Sequence, residues 1–356
     1  YGFTPSPDER ISSKIRCRSS FVYSFRIPHG CHIELAFRKV GYTHRIQNIA
    51  HELGHALGLN HSGKAEALMY PWGGHIKPLD IDDKVAVSAL YDTWRTVPTG
   101  NTRDVAVGRE KGSPVGADGL AWMVGGTYGN NVFKQKTDGS GWVPDPWAPK
   151  ASRIALNGYR PYIVTYGTGE VQRRNSGDPT INSGWSNFGG CATDVGASPA
   201  AIWIIGCDID TYGNGSIWAL GASGWIPDAA GGRAARIAVD SAGAPWVVSS
   251  RLSGGKVFRR TSSDVMSGAW QWLDACAVDI GIYEPGYAWV LGCDKDSMGN
   301  YGVYARNDNS YIGDGITPEL HRWVRMSTGG GVNIAVGPNS KPWVTTFGQS
   351  VMTTVR

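Results

Sequence analysis

From Asp104 to the C-terminal end, short apolar runs alternate with glycine-rich punctuation, and the runs return in the same order. Asp104-Val-Ala-Val-Gly, Asp194-Val-Gly and Asp279-Ile-Gly open three units. Trp122-Met-Val, Trp203-Ile-Ile and Trp289-Val-Leu follow them, and Gly141-Trp142-Val, Gly224-Trp225-Ile and Arg322-Trp323-Val close them. A related unit alternates with the first. It opens Arg153-Ile-Ala-Leu, Arg236-Ile-Ala-Val and Asn333-Ile-Ala-Val, and continues through Pro161-Tyr-Ile-Val, Pro245-Trp-Val-Val and Pro342-Trp-Val-Thr. Each run is strand length and is bounded by turn residues, so each unit of roughly 42 residues predicts four short strands. Six such units with threefold pseudo-symmetry predict a mainly β chain built as a six-bladed β-propeller. The sixth unit ends without a closing tryptophan strand, while Trp94-Arg-Thr-Val-Pro98 precedes the first unit and reads like Trp142-Val-Pro. Residues 93–97 are therefore expected to close the last blade, which removes two exposed sheet edges.

The first part of the chain has a different pattern. Ser20–Phe25 and His32–Phe37 read as strands around Pro28-His29-Gly30. Ile46, Ile49, Ala50, Leu53 and Leu57 recur at helical spacing after a possible cap at Thr43. Residues 62–79 are loop-like, and Asp82 and Asp83 start a short helix to Tyr91, where carboxylates meet unpaired amides. The pattern thus predicts a short α+β domain, residues 1–92, followed by the propeller, residues 93–356.

Composition agrees with many strands and few helices. Glycine at 49 residues, with 15 tryptophans and 15 tyrosines, suits tight turns and large rings between sheets. A net charge of +4 without a long basic run argues against a nucleic-acid partner, and no apolar stretch is long enough to span a membrane. The chain starts at Tyr1 rather than Met, which reads as a mature product or a fragment. Cys191 with Cys207 and Cys276 with Cys293 occupy the same place in the repeat and lack metal-ligand spacing, so each pair predicts a disulfide. Cys17 and Cys31 are left as a third pair. Three bridges imply an oxidising compartment and secretion.

One stretch carries recognisable chemistry. In His51-Glu52-Leu53-Gly54-His55-Ala56-Leu57-Gly58-Leu59-Asn60-His61, two imidazoles lie one helical turn apart with a glutamate between them. Gly58 can turn the chain so that His61 returns as a third nitrogen ligand, leaving an open position for water. The cofactor this donor set implies is Zn2+. A buried helix whose histidines satisfy core hydrogen bonds is the competing reading.

This stretch, Ser62, Ala67-Leu68-Met69-Tyr70-Pro71 and Leu79–Tyr91 resemble the second half of a matrixin catalytic domain, the matrix-metalloprotease-like branch of the metzincin zinc peptidases. The resemblance implies His51, His55 and His61 as zinc ligands, Glu52 as general base and Met69 in a turn beneath the metal. It also implies that Asp82 and Asp83 steady the last helix. Seven residues separate His61 from Met69, which fits the family. Only fifty residues precede His51, however, where a matrixin has more than a hundred, so the substrate cleft is expected to be shortened.

Residues 93–356 resemble the tectonin family of propeller lectins, through the Asp-Val-x-Val-Gly opening, the Gly-Asn-Gly third strand, the Gly-Trp closure and the Arg-Ile-Ala-Val half unit. The resemblance implies sugar binding through repeated sites, on glycans or on microbial or glycoprotein surfaces. Candidate contacts are Tyr128, Tyr212, Trp218 and Tyr304, whose rings can cover a sugar face, with Asn130, Asn214 and Asn300 for hydroxyls. These asparagines equally suit tight turns. Trp122, Trp142, Trp203, Trp225, Trp246, Trp289, Trp323 and Trp343, repeated once per unit, read as packing between blades. Together the two parts suggest a secreted zinc endopeptidase directed to its substrate by a carbohydrate-binding propeller. The alternative is a recognition or defence lectin with an inactive peptidase-like cap.

Overall fold

In the computed structural model of the chain, the described residues are 22–26, 32–36, 49–54, 59, 61, 67–70, 83, 93–97, 99–109, 119–126, 129–307 and 323–355. The chain divides into two units, residues 1–88 with 307–322, and residues 89–306 with 323–356. In the first, β1 (Val22–Arg26) pairs antiparallel with β2 (His32–Ala36), Val22 opposite Ala36 and Arg26 opposite His32. A helix covers residues 49–54. The expected Cys17–Cys31 bridge, the cap at Thr43 and the helix over residues 84–91 lie outside the described residues. No helix among the described residues is long and apolar enough to cross a membrane.

The second unit is a set of repeated antiparallel sheets with a propeller-like order. After β3 (Thr93–Val97), one sheet runs β4 (Asp104–Gly108), β5 (Leu120–Gly125), β6 (Asn131–Gln135) and β7 (Trp142–Pro144). The next runs β8 (Ala151–Asn157), β9 (Arg160–Thr165), β10 (Val171–Arg174) and β11 (Trp185–Asn187). A third runs β12 (Ala192–Ala197), β13 (Ile202–Gly206), β14 (Gly215–Gly221) and β15 (Gly224–Pro227), with short β16 (Arg233–Ala234) beside β14. Then β17 (Arg236–Val239), β18 (Pro245–Val248), β19 (Lys256–Arg260), β20 (Trp270–Ile282), β21 (Tyr287–Lys295), β22 (Tyr301–Asn307) and β23 (Val324–Gly331) form one seven-stranded sheet. The 13-residue β20 joins its two halves. It pairs with β19 up to Cys276 and with β21 from Ala277 onward, with a register shift between Ala277 and Asp279. Finally β24 (Asn333–Val336), β25 (Pro342–Thr345) and β26 (Val351–Val355) pair onward to β3, Val351 opposite Val97 and Val355 opposite Thr93.

The opening strands of the units lie side by side in the order β4, β8, β12, β17, β20, β24 and back to β4. Behind them the alternating residues of adjacent sheets make continuous apolar layers, with Trp122, Trp203, Trp246 and Trp289 fully buried. Burying such a ring removes a large apolar area from water, which is why one tryptophan per unit can dominate the layer. Trp343 is also buried, whereas Trp142, Trp225 and Trp323 are half-buried beside those layers.

Polar side chains join the sheets. Asp104 Oδ2 accepts the Ile154 amide at 2.9 Å, Asp194 Oδ2 that of Ile237 at 3.0 Å, and Asp279 Oδ2 that of Ile334 at 2.8 Å. Arg153 lies 3.7 Å from Asp194 and Arg236 3.7 Å from Asp279, while Asn333 holds the third equivalent place. With its amide turned to satisfy both ends, Asn333 accepts from Arg153 at 2.7 Å. These six side chains line a central cavity of about 90 Å³.

Both predicted disulfides form. Cys191–Cys207 and Cys276–Cys293 span Cα distances of 5.4 and 5.5 Å and staple equivalent hairpins, β12–β13 and β20–β21. Each is covered by a glycine of the preceding hairpin turn, Gly169 at φ +72° and Gly255 at φ +62°, a backbone region costly for other residues. A Cβ at either position would sit 3.1–3.2 Å from both sulfurs.

The closing strands carry a second repeated pair. Arg260 meets Asp228 at 2.9 Å with both side chains buried, and Arg174 meets Asp145 in the same way. In the third copy Thr354 and Met326, also buried, replace the arginine and the aspartate. Removing one member of a buried pair strands the other charge, whereas replacing both does not. Arg260→Thr should therefore cost about 3–5 kcal/mol in urea unfolding. Adding Asp228→Met, which copies the third repeat, should recover more than half of the loss; a double variant as unstable as the single one contradicts the pairing argument.

The central ring has a pH signature. Burial pushes the Asp104 carboxyl up to about 7 against the pull of Arg153, with Asp194 and Asp279 adding to the rise. Burial likewise pushes Asp279 up to about 6 against Arg236 and Arg153. Both groups hold a proton when folded that the unfolded chain has released, so their stabilising effect is complete below about pH 4 and is lost as pH rises through 6 to 7. Asp104→Asn should gain stability relative to the unsubstituted chain between pH 5 and pH 8, measured by urea midpoints. Parallel pH profiles would show that Asp104 does not titrate there.

Candidate metal centre and ligand sites

In the first unit the helix at residues 49–54 carries His51 and Glu52, both half-buried. The Leu59 amide donates to the Gly54 carbonyl at 3.0 Å. The ring centres of His51 and His61 are 5.3 Å apart and tilted by 34°. Beside them residues 67–70 turn sharply, with the Tyr70 amide donating to the Ala67 carbonyl at 3.3 Å. Met69 is buried and its thioether lies against Gly54, where a Cβ would fall 2.2 Å from the sulfur. Only glycine admits that contact.

The turn and the helix are tied by polar groups. His51 Nδ1 is 2.8 Å from the Leu68 carbonyl oxygen, so it donates there and Nε2 is the nitrogen that bears the lone pair. Asp83, buried and helical, accepts the Leu68 amide at 2.9 Å and the Met69 amide at 3.0 Å. Sequence reasoning placed Asp83 at a helix start, but not its carboxylate on the methionine turn. The buried amides of a sharp turn needing an acceptor were the available signal. His55 and Asp82 lie outside the described residues, and among the described residues no three metal-ligating side chains converge.

In the second unit the sugar-site candidates separate by environment. Tyr212 is 59% exposed at a loop tip. Trp218 and Tyr304 are half-buried, each over a glycine of the neighbouring strand. A Cβ at Gly206 would lie 3.2 Å from Trp218 Nε1, and one at Gly292 would lie 2.5 Å from Tyr304 Cε2. Each ring has an aspartate and an arginine nearby, Asp208 with Arg233 at 3.2 Å and Asp294 with Arg325 at 3.0 Å. Burial and then its hydrogen bond to Asp294 push the Tyr304 hydroxyl above its ordinary value. Asn214 and Asn300 are buried and engaged with the next sheet. Asn214 accepts the Ser250 amide at 2.6 Å and donates to Ser253 at 3.0 Å, and Asn300 accepts the Phe347 amide at 2.7 Å. Asn130 accepts from Arg103 at 3.3 Å, and Tyr128 lies outside the described residues.

The matrixin family matches residues 39–92. Matrix metalloproteinase-B of Caenorhabditis elegans is 56% identical over 47 residues, which are 12% of this chain and 9% of that protein. Residues 39–92 are a matrixin-like segment. Among solved structures, YCF48 from Cyanidioschyzon merolae is similar at 14% identity and a TM-score of 0.43, over 73% of this chain and 84% of that one. A virginiamycin B lyase from Staphylococcus aureus is similar at 11% identity and a TM-score of 0.44, over 75% of this chain and 99% of that one. The propeller-like architecture rests on the strand order described above rather than on these likenesses.

The spacing of the two described histidines matches that of two ligands on one zinc ion. Two imidazoles at zinc–nitrogen distances of about 2.0–2.1 Å place their ring centres roughly 5 Å apart, as His51 and His61 are. The backbone carbonyl on His51 Nδ1 is the kind of outer contact that fixes a ligating histidine's tautomer. Asp83 holds that carbonyl's turn in place, and hydrogen bonds to a charged acceptor contribute about 1.5–3 kcal/mol each. Asp83→Ala should lower the thermal midpoint of the matrixin-like segment and broaden the His51 ring resonance in NMR. A sharp, unshifted His51 signal in that variant would show that the turn stands without the carboxylate.

Proposed function

We propose that the chain is a secreted zinc metalloendopeptidase whose substrate is presented by a multivalent carbohydrate-binding propeller. The observation that carries this reading is the pairing of His51 and His61 at 5.3 Å with His51 Nδ1 committed to the methionine turn. A histidine fixed in this way points to a ligand, whereas one that only fills a core needs no glycine-seated Met69 beside it. The proposed zinc ligands are His51, His55 and His61. A zinc ion held there supplies Lewis acidity toward a peptide carbonyl and lowers the pKa of water to near 7. Glu52 takes the proton of the attacking water as its oxygen bonds to the carbonyl carbon. Glu52 then delivers that proton to the amine nitrogen as the C–N bond breaks. Met69 packs beneath the helix and keeps His51 in register with the turn.

The domains proposed are residues 1–92 for the peptidase and 93–356 for a six-bladed, tectonin-like propeller, in which residues 93–97 close the last blade. The circular order of the opening strands supports six blades. Two disulfides suit an oxidising compartment, which supports secretion. For glycans, the ring-over-glycine shelves at Trp218 and Tyr304 are the preferred contacts, with Asp208 and Asp294 as hydroxyl acceptors and exposed Tyr212 as an accessory ring. Asn214 and Asn300 act through the scaffold, since their side chains hold neighbouring loops. Several weak sites on one body bind a repetitive surface far more tightly than any one of them.

The second reading is a recognition lectin with an inactive peptidase-like cap, and the paired shelves favour it because they serve sugar binding without any cleavage. One set of measurements separates the two. Glu52→Gln should retain zinc measured by elemental analysis, lose at least 10²-fold in peptide hydrolysis, and leave glycan binding unchanged. Hydrolysis that survives the substitution removes Glu52 as the base. An unsubstituted chain that binds zinc and glycans yet cleaves no peptide supports the lectin.

A further inference from the structure

The three copies of the paired unit differ where the third strand of one sheet faces the first turn of the next. Lys134 stands where the other copies have Ala219 and Ala305, Arg160 where they have Ala244 and Lys341, and Tyr159 where they have Gly243 and Ser340. A groove of about 790 Å³ opens at the first copy, bounded by these residues with Lys136, Asn175 and Ser176. That volume suits a short oligosaccharide.

The groove is built by packing. Tyr159 lies against Gly177, where a Cβ would come within 2.6 Å of the ring and 2.7 Å of the Tyr159 carbonyl oxygen. In the second copy Ser263 takes the place of Gly177, and a Cβ at Gly243 would lie 3.1–3.3 Å from Ala200, Ala201 and Ser263. The second copy therefore fills the space that the first copy lines with a ring. Over that ring, at 5.3 Å, sits the Arg160 guanidinium. Its Nε is buried without a hydrogen-bond partner, and among the described residues Arg160 makes no ion pair. The two carboxylates of the groove are turned into their own loops, Asp138 on the Ser140 amide at 2.8 Å and Asp178 on the Thr180 amide at 2.9 Å. Among the described lining residues three cations stand beside two carboxylates, with Tyr159 as an aromatic wall.

We propose that this groove binds an acidic oligosaccharide, one whose sugars carry carboxylate or sulfate groups. Arg160, Lys134 and Lys136 receive the anionic group, and Tyr159 covers the sugar's apolar face. The site shares no residue with the shelves at Trp218 and Tyr304, and its ligand is charged. An acidic peptide would satisfy the cations but offer the Tyr159 ring no sugar face.

The test is calorimetric titration of the full chain with four tetramers: an oligogalacturonate, a sulfated galactan fragment, a neutral galactan fragment and tetraglutamate. One of the acidic sugars should bind at least tenfold more tightly than the neutral sugar and tetraglutamate, and which one it is identifies the anion. Lys134→Ala with Arg160→Ala, which imports the second copy's own residues, should weaken that binding at least tenfold while the urea midpoint of the propeller-like unit stays put. Trp218→Ala should leave it unchanged. Equal binding of the neutral sugar, equal binding of tetraglutamate, no binding of either acidic sugar, undiminished binding by the double variant, or loss through Trp218→Ala would each overturn the proposal.

Discussion

Asp104, Asp194 and Asp279 each place a carboxylate at the inner edge of one sheet and receive with it a backbone amide from the opening strand of the next. An opening strand is an edge strand, so its outward amides lack a ladder partner, and burying them unpaired would cost more than most apolar contacts return. The carboxylate supplies the missing acceptor without requiring another strand. It also fixes how the sheets follow each other, because Ile154, Ile237 and Ile334 can meet it only when the adjoining strand is in register. The tryptophan layers then pack between sheets whose spacing has already been set. Charge is the cost of the arrangement. Three buried carboxylates against two arginines leave the ring one cation short, which is why burial raises Asp104 and Asp279 as far as it does.

Much of this was legible because the repeat repeats its own evidence. A run such as Ile202-Trp-Ile-Ile-Gly206 is ambiguous alone, yet three copies in the same order, each followed by Gly-Trp or Arg-Trp, specify a strand in each place. The disulfides were legible for the same reason, since two cysteine pairs fell on one repeat position. Register-level detail was not. Asp279-Ile-Gly reads as the opening of a new unit, and the chain instead runs straight from Trp270 through Ile282, across both sheet halves, with a bulge at the join. A bulge conserves the alternation on each side, so the pattern carries no trace of whether the strand breaks. Asn214 and Asn300 illustrate a second limit. Turn residue and sugar contact demand the same side chain, and only the partners, Ser250 and Phe347, show that the amides are engaged by the fold.

In the matrixin-like segment the motif named the chemistry but not its supports. The HExxH spacing puts His51 and Glu52 on a helix, and the third histidine is expected from the same pattern. What orients His51 lies seventeen residues on, at the Leu68 carbonyl, and what orients Leu68 is Asp83, fifteen residues further. No local spacing rule reaches that distance. Gly54, within the motif, reads as a weak helix residue; in the fold it is the seat of the Met69 thioether. Its missing side chain is a packing requirement, and a glycine inside an otherwise helical pattern signals a close approach without naming the partner.

The internal copies also separate scaffold from function. Where a position serves the ring, the copies keep its chemistry, as with Asp104, Asp194 and Asp279. Where a copy departs at a fastening, it mostly departs in concert: the third has Thr354 with Met326 for a buried ion pair, and the first has Asn101 and Gly126 where the other two have the paired cysteines. Each of these replaces a complete interaction, whereas Asn333 stands alone in place of an arginine and leaves the ring one cation short. The first copy also departs in a different way. It keeps the Asp104 clasp and the Arg174–Asp145 pair but changes Lys134, Tyr159 and Arg160 together, around an open groove. Concerted replacement within a fastening preserves the fold, and relaxing it needs no ligand to explain it. Concerted gain of cations and a ring around an open groove leaves the clasp and the buried pair as they were and changes the surface that a ligand would meet.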